Sequence, residues 1–204
     1  MKIIVFDTET TWFINKKEID NLDAQPYMVQ FAWILWEVDS DWNFTEIKRI
    51  NQLVKPPIPI PFWSSQVHHI YDIDVQNSPS ISDVMTEFLN ILNDADFVIW
   101  HNIEYDESII NIELKRLWRL WEYNPKGVVC TMKETVDFCA IKWNWERFKY
   151  PKLWELHKVL FWEYFVWAHD AMVDVEATLS CALELNKKNI ITLDTSENTL
   201  MSLF

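Results

Sequence analysis

Glycine is almost absent from this chain. Only Gly127 occurs among 204 residues, whereas an ordinary protein of this length contains about 14 glycines, roughly 7% of its residues. Tryptophan is correspondingly abundant, with 13 residues. Tight turns and left-handed backbone positions normally require glycine. We therefore interpret most of the tryptophans as positions that carry glycine in the native molecule.

Other shortages exclude several classes of protein. Basic side chains number 18 against 31 acidic ones, a net charge of −13, which argues against a protein that coats nucleic acid through positive charge. The three cysteines show no C-x-x-C spacing, so neither a disulfide framework nor a zinc site is expected. No apolar run is long enough to span a bilayer, and the run before Asp7 is too short for a signal peptide. A soluble cytoplasmic protein is predicted.

The apolar pattern predicts an α/β domain. Strands dominate the first part of the chain and helices the second, so we expect a mixed five-stranded sheet with helices on both faces. The predicted strands are Ile3–Phe6, Met28–Val38, Phe44–Val54, Phe97–Ile99 and Val128–Cys130, and helices are predicted after Ser80, after Asn102 and from about Ala171. One domain is expected over residues 1–188, followed by a tail, 189–204, without a clear place in the core.

Three short segments contain acidic residues suited to metal binding. Asp7 and Glu9 lie two residues apart at the end of the first strand, so both carboxylates point to one face. Two such groups repel each other unless a hard divalent cation lies between them. Asp106 opens the helix after the fourth strand, and Asp174 lies five residues after His169 at the start of the last helix. A solvated turn and two helix-start acids are the structural alternatives for the separate segments.

Taken together, the segments resemble one known family. FDTET, HNIEYD and AHDAMVDVEAT are similar to the three motifs of the DEDDh 3′–5′ exonucleases, the group that includes the proofreading epsilon subunit of bacterial DNA polymerase III. VHHIYDIDV, CTMKETVDFC and KYPKLWELHKVLFWEYF extend the resemblance over most of the chain. A sister group carries tyrosine four residues before the final aspartate, where this chain has Asp170, so the resemblance implies the histidine type. All five catalytic positions of the family are filled, by Asp7, Glu9, Asp106, His169 and Asp174.

The resemblance implies an RNase H-like fold and a two-metal phosphodiester hydrolase. Asp7 would bridge two Mg²⁺ or Mn²⁺ ions, Glu9 and Asp174 would bind the ion on the nucleophile side, and Asp106 would help to hold the other ion through water. His169 would be the general base. Contacts to the terminal nucleotide are expected from Thr8, Thr10, His68, His101, Asn102 and Tyr105. Because four carboxylates repel nucleic acid, binding should depend on metal.

The implied substrate is a single-stranded or frayed DNA 3′ end, hydrolysed to nucleoside monophosphates in replication proofreading or repair. RNA 3′ ends stay open as an alternative, as for oligoribonuclease and RNase T, because nothing in the sequence shows how the 2′-hydroxyl is met. A non-catalytic subunit associated with a polymerase or a sliding clamp is a third possibility. The basic stretch Lys142–Lys158 is either a guide for the nucleic-acid backbone or an ordinary solvated face.

The end of the tail bears on possible protein partners. Asn198–Phe204 resembles the short hydrophobic peptide by which bacterial replication proteins dock onto the sliding clamp. A tail that packs on its own domain is the alternative. The partners expected from the resemblance are therefore a sliding clamp or a polymerase catalytic subunit, and no membrane.

The family resemblance also sharpens the interpretation of the tryptophans. Trp12, Trp162 and Trp167 occupy positions where relatives use glycine, and Trp100 lies before His101, where the backbone often needs glycine. Trp33, within an apolar strand, is expected to be a genuine tryptophan.

Overall fold

A computed structural model of the chain describes residues 1–39, 41, 43–144, 146–163 and 170–193, with only the backbone of Ile103. Two of the predicted features lie outside these residues: the histidine of the catalytic set, His169, and the clamp-like peptide at Asn198–Phe204. Trp167 lies outside them as well.

Five strands form one mixed sheet, which confirms the predicted fold class. The strands are β1 (Lys2–Thr10), β2 (Met28–Val38), β3 (Phe44–Leu53), β4 (Phe97–Trp100) and β5 (Val128–Cys130). Their order across the sheet is β3-β2-β1-β4-β5. The pairs β3–β2 and β2–β1 are antiparallel, and the pairs β1–β4 and β4–β5 are parallel. The first strand is longer than the predicted apolar run Ile3–Phe6 and contains Asp7 and Glu9, near its end as expected.

The helices lie between and after these strands. They are α1 (Phe62–His68), α2 (Asp72–Val75), α3 (Ile81–Leu92), α4 (Ile103–Arg116), α5 (Thr131–Glu134), α6 (Val136–Cys139), α7 (Leu153–Phe161) and α8 (Ala171–Lys187), with short 3-10 turns at Leu22–Ala24 and Leu120–Glu122. Ser80 caps α3 as predicted, because its hydroxyl accepts a hydrogen bond from the amide of Asp83.

Each face of the sheet carries its own apolar core. Ile3 and Val5 of β1 point to one face, where they pack with residues of α7 and α8 such as Leu156 and Val175. Ile4 and Phe6 point to the other face, against α3 and α4. Because side chains alternate along a strand, Asp7 and Glu9 share the face of Ile3 and Val5, and Thr8 shares the opposite face.

The packed part of the chain extends beyond the boundary predicted at residue 188. Ile191 and Leu193 are buried in the core beside α8, with 5% and 2% of their surfaces exposed. The segment predicted as a tail therefore begins with residues that belong to the domain, since two apolar side chains anchor it. Every helix in the described ranges falls short of the length and apolarity that a bilayer crossing needs.

Two tryptophans occupy backbone conformations that favour glycine. Trp118 and Trp162 have φ angles of 57° and 62°, in the left-handed region, and both side chains are largely exposed. The indole nitrogens of Trp36 and Trp100 are buried and find no hydrogen-bond acceptor in the described part of the chain, an arrangement that costs free energy. The left-handed backbone at Trp118 and Trp162 supports glycine there in the native molecule. Trp33 is fully packed in the core, consistent with a genuine tryptophan.

Candidate active site

The first strand supplies two carboxylates on one face of the sheet. Asp7 and Glu9 are separated by Thr8, which points away, so both acids project toward α8. The pairing of β1 with β2 is regular through Glu9 and shifts between Glu9 and Thr10. The two acids therefore stand on regular strand immediately before the irregularity, in a part of the sheet that fixes their direction.

The start of α8 brings a third carboxylate to the same place. Asp170 caps the helix, with its side chain accepting a hydrogen bond from the amide of Met172 at 2.8 Å. Asp174 follows one turn later and faces β1. Ligand oxygens of Asp7, Glu9 and Asp174 all lie within 4.8 Å of one another. Residues 167 positions apart in sequence thus converge on a volume the size of a metal-ion site.

Asp106 approaches the cluster from the first turn of α4. Its side chain is buried, with 4% of its surface exposed, and the hydroxyl of Thr8 donates a hydrogen bond of 2.7 Å to its Oδ1. Asp7 and Glu9 project from one face of β1, and Thr8, between them, binds Asp106 from the other face. Thr8, predicted as a substrate contact, lines the groove beside this cluster and its hydroxyl also binds a carboxylate of it.

Burial and mutual repulsion dominate the electrostatics of the four acids. Burial, followed by the neighbouring carboxylates, raises the pKa of Asp7 well above its usual range and that of Glu9 to about 9. Burial also raises the pKa of Asp106 to about 7, against the hydrogen bond from Thr8, and that of Asp174 to about 6. No ion pair among the described residues includes any of these four side chains.

The donor chemistry fits divalent cations. Clustered carboxylate oxygens without a basic partner are the ligand set that Mg²⁺ and Mn²⁺ prefer. A cation among them would remove the repulsion that raises the pKa values. The residues present therefore fit the predicted metal requirement. The same oxygens suit Mg²⁺ and Mn²⁺ equally.

A groove of about 620 Å³ runs past the carboxylates. One wall comes from the turns around α4 and α5, including Asn102 and Lys133, and the other from the segment Tyr150–Trp154. Lys152, from the predicted basic stretch, lies on this second wall. The groove is also lined by Glu104, whose carboxylate is ion-paired with Lys133 at 2.9 Å.

A smaller cavity of about 280 Å³ adjoins the groove beside Glu9. Thr10, His68 and Tyr105 line it, together with the aromatic residues Phe13 and Trp63. The hydroxyls of Thr10 and Tyr105 lie 2.9 Å apart, and each hydroxyl donates toward the carbonyl oxygen of Trp12. Thr8 lines the cavity as well, so four of the predicted substrate contacts share one aromatic cavity next to the clustered carboxylates.

His101, another predicted substrate contact, is committed to the chain itself. Its Nε2 lies 3.0 Å from the carbonyl oxygen of Pro151 and its Nδ1 lies 3.0 Å from the hydroxyl of Thr131. Because a carbonyl only accepts, Nε2 donates and Nδ1 accepts. Burial lowers the pKa of His101 to about 4. The neutral ring thus ties the groove wall at Pro151 to the sheet, although it also lines the groove.

Sequence reasoning missed Gln30 as part of this site. Gln30 is a buried polar residue in the otherwise apolar run of β2 and pairs with Glu9 across the strands. That isolated polar residue was the available signal, because buried amides require hydrogen-bond partners. The partners themselves, at the start of α8, are too distant in sequence to be inferred.

Removal of the Thr8 hydroxyl should impair catalysis without unfolding the protein. In Thr8→Val, Asp106 loses its hydrogen-bond donor while side-chain volume is kept, so a buried carboxylate is left less well oriented. Charge-assisted hydrogen bonds of this kind contribute about 1.5–3 kcal/mol, and we expect kcat to fall roughly tenfold or more. Steady-state kinetics of the variant measure this, with Thr86→Val on the exposed face of α3 as the control. An unchanged kcat would argue against this role for Thr8.

Comparisons with known proteins agree on one family. The family model described as Exonuclease, of the RNase T type, matches residues 4–181. Among characterised relatives, the DNA polymerase III subunit epsilon of Buchnera aphidicola subsp. Schizaphis graminum is 29% identical over 117 residues, which are 57% of this chain and 46% of that protein. The chain thus matches about half the length of this relative.

Solved structures share the fold at low sequence identity. Exonuclease X in complex with 5′ overhanging duplex DNA is 18% identical with a TM-score of 0.57, covering 96% of each chain. The nuclease domain of 3′hExo, a DEDDh family member, bound to rAMP, is 13% identical with a TM-score of 0.68, covering 93% of each chain. At these identities the likeness concerns the fold.

Proposed function

This chain belongs to the exonuclease family, of the DEDDh type, and we propose that it is a divalent-metal-dependent 3′–5′ exonuclease acting on DNA 3′ ends. The observation that carries the proposal is the convergence of Asp7, Glu9 and Asp174, with ligand oxygens within 4.8 Å of one another, on the floor of an open groove. Asp106, bound by Thr8, completes the acidic set.

The chain's own residues hold the reacting groups in place. Two divalent cations, when bound, supply Lewis acidity at the attacking and leaving oxygens of the phosphodiester. Asp7 lies centrally and would contact both, Glu9 and Asp174 would hold the one on the side of the attacking water, and Asp106 the other. In the reaction a bond forms between water oxygen and phosphorus while the bond from phosphorus to the 3′ oxygen breaks, and the 3′ oxygen takes a proton from solvent to become the new 3′-hydroxyl. His169 would accept the proton of the attacking water.

The groove explains how an acidic chain accepts a polyanion. Its four clustered carboxylates would become a phosphate receptor once cations bind them, and Lys152 lines the same groove. Lys133 also lines it and is paired with Glu104. The adjoining aromatic cavity, with Phe13 and Tyr105, has the size and character to receive the terminal base by stacking. We expect this arrangement to release single nucleoside monophosphates.

Two observations support DNA and one supports RNA. The epsilon relative belongs to a DNA polymerase, and the fold neighbour Exonuclease X is seen with duplex DNA, which favours DNA ends in replication proofreading or repair. A polymerase subunit or a sliding clamp would then be a partner. The neighbour 3′hExo is seen with rAMP, and this favours RNA 3′ ends as the second candidate.

An oligonucleotide assay tests the proposal directly. DNA and RNA strands of one sequence, labelled at the 5′ end, are incubated with the protein and Mn²⁺ or Mg²⁺. We expect stepwise shortening from the 3′ end, faster for DNA, and complete loss of shortening in EDTA. The control is Asp20→Asn, an exposed acid that does not line the groove, which should leave the rate unchanged. Equal or faster shortening of RNA overturns the DNA assignment, and stability of both polymers overturns the proposed activity.

A further inference from the structure

Gln30 is a polar residue in an apolar place. It lies in β2, where the run Met28–Val38 is almost wholly buried, and only 4% of its own surface is exposed. Its strand position is directly opposite Glu9 in the antiparallel pair of β1 and β2. Opposite residues on adjacent strands point to the same face, so Gln30 points toward α8, as Glu9 does.

The amide of Gln30 binds the first residues of α8. Its Oε1 accepts a hydrogen bond from the backbone amide of Ala171 at 3.3 Å, and its Nε2 donates to Oδ1 of Asp170 at 3.4 Å. The Nε2 also donates to Oδ1 of Asn51 on β3 at 2.7 Å. The backbone amide of Ala171 is among those that a helix start leaves without an internal partner. Gln30 thus anchors this helix terminus to the sheet.

This anchor lies within the framework of the proposed metal site. Asp174 sits one turn into α8, and its ligand oxygen lies within 4.8 Å of those of Asp7 and Glu9 only if the helix start keeps its distance from β1. On β1, the position of Glu9 is fixed by its pairing with Gln30. On α8, the position of the helix start is fixed by the cap residue Asp170, which Gln30 contacts. One side chain therefore connects both halves of the ligand set.

We propose that Gln30 is a positioning residue that sets the separation between Asp174 and the carboxylates of β1, and thereby the affinity for the divalent cations. The inference rests on the proposed function in that these carboxylates are taken as the metal ligands. Gln30 itself contacts neither substrate nor cation. Residues that orient metal ligands from behind typically change metal affinity or activity by 10–100-fold when they are altered.

The test compares Gln30→Met with the unaltered chain. Methionine has nearly the same length and volume but makes none of the three hydrogen bonds. Titration of the metal-free proteins with Mn²⁺ in a calorimeter, without nucleic acid, should give a dissociation constant roughly tenfold or more higher for the variant. With an oligonucleotide, kcat should fall by a similar factor at fixed Mn²⁺ and recover partly at higher Mn²⁺, while KM for the oligonucleotide, compared at saturating Mn²⁺, stays the same.

The matched control is Gln52→Met. Gln52 lies on β3, is half-buried, and its amide donates to the carbonyl oxygen of Leu53 rather than to α8. It should leave the Mn²⁺ affinity unchanged. Asn51→Ala, which removes only the support behind Gln30, should give a smaller loss of affinity and serves as the test if Gln30→Met does not fold.

The outcomes separate this inference from the proposed function. Equal Mn²⁺ affinity and equal kcat in Gln30→Met and the unaltered chain would overturn the positioning role. A loss of affinity as large in Gln52→Met would overturn it as well, because the effect would then be a general loss of packing. If the unaltered chain binds Mn²⁺ but hydrolyses neither DNA nor RNA, the proposed function fails, whereas the Mn²⁺ titrations still decide the role of Gln30.

Discussion

Asp7→Asn is expected to abolish hydrolysis and, at the same time, to stabilise the metal-free protein. Asparagine keeps the shape of the side chain and removes its charge. The loss of a central ligand removes several kcal/mol of transition-state stabilisation, so the rate should fall by about 10³-fold or more. The pKa of Asp7 is raised by burial and then by repulsion from Asp106, Asp174 and Glu9, and in the absence of metal the same change relieves both. We expect the free energy of unfolding to rise by about 1–3 kcal/mol.

The stability of the metal-free protein should also depend on pH in a particular direction. The pKa values of Glu9 and Asp174 are raised in the folded state, to about 9 and about 6, above the ordinary carboxyl range of the unfolded chain. Between the ordinary carboxyl pKa of about 4 and these raised values, the folded chain binds more protons than the unfolded chain. Its free energy of unfolding therefore rises as the pH falls from about 9 toward about 4. Asp7→Asn should weaken this dependence, because one member of the repelling set is gone.

Urea unfolding in EDTA between pH 5 and pH 9 measures both effects. Asp20→Asn provides the control for removal of a negative charge outside the groove, and it should match the unaltered chain. Addition of Mn²⁺ should stabilise the unaltered chain and the control but not Asp7→Asn, since binding to the folded state alone raises stability. A variant that is less stable than the unaltered chain in EDTA at pH 7 would contradict the electrostatic explanation.

Local spacing was enough to predict the acidic segments. Asp7 and Glu9 follow from strand alternation, Asp106 from its place in a helix start, and Asp174 from its place after a capping residue, and the structure brings all four to one groove. Each of these inferences uses only neighbours in sequence. Roles for these residues were supplied by the family resemblance rather than by the spacing.

The connections between the segments were beyond sequence reasoning. Thr8 binds Asp106 across 98 residues, and Gln30 binds Asp170 across 140. Such contacts depend on which face of a strand meets which helix, and therefore on the complete packing of the sheet. His101 shows the same limit: its place beside the fourth strand was clear, but its bonds to Thr131 and Pro151 depend on the position of the segment before α7.

Glycine at Trp118 and Trp162 is expected to stabilise the protein. Trp118 lies just after α4 with φ 57°; its amide bonds to the carbonyl of Lys115, and the amide of Arg119 bonds to that of Leu114. This is the Schellman ending of a helix, whose left-handed residue is usually glycine. Trp162 ends α7 with φ 62° and a single bond from its amide to the carbonyl of Lys158, the simpler left-handed ending.

The expected gain follows from the backbone alone. A side chain with a Cβ in the left-handed region costs about 1–2 kcal/mol relative to its preferred conformations, and both indoles are mostly in solvent, with 82% and 87% of their surfaces exposed. Little packing is therefore lost on truncation. We expect Trp118→Gly and Trp162→Gly each to raise the free energy of unfolding by about 1 kcal/mol, and the double variant to gain about the sum because the sites lie on different helices.

Trp121 provides the control that separates backbone strain from the loss of an exposed indole. It is 75% exposed and lies three residues after Trp118, within the 3-10 turn Leu120–Glu122 and outside the set of left-handed residues. Trp121→Gly should leave stability unchanged or lower it, since glycine gains nothing there. Trp118→Ala should gain less than Trp118→Gly, because alanine keeps the Cβ. If Trp118→Gly and Trp162→Gly both destabilise the protein, tryptophan is the native residue at these helix ends. A gain in stability confined to the left-handed positions indicates that the native molecule carries glycine there. The intact mass of protein from its native source gives the independent decision, since every tryptophan replaced by glycine lowers it by the same amount.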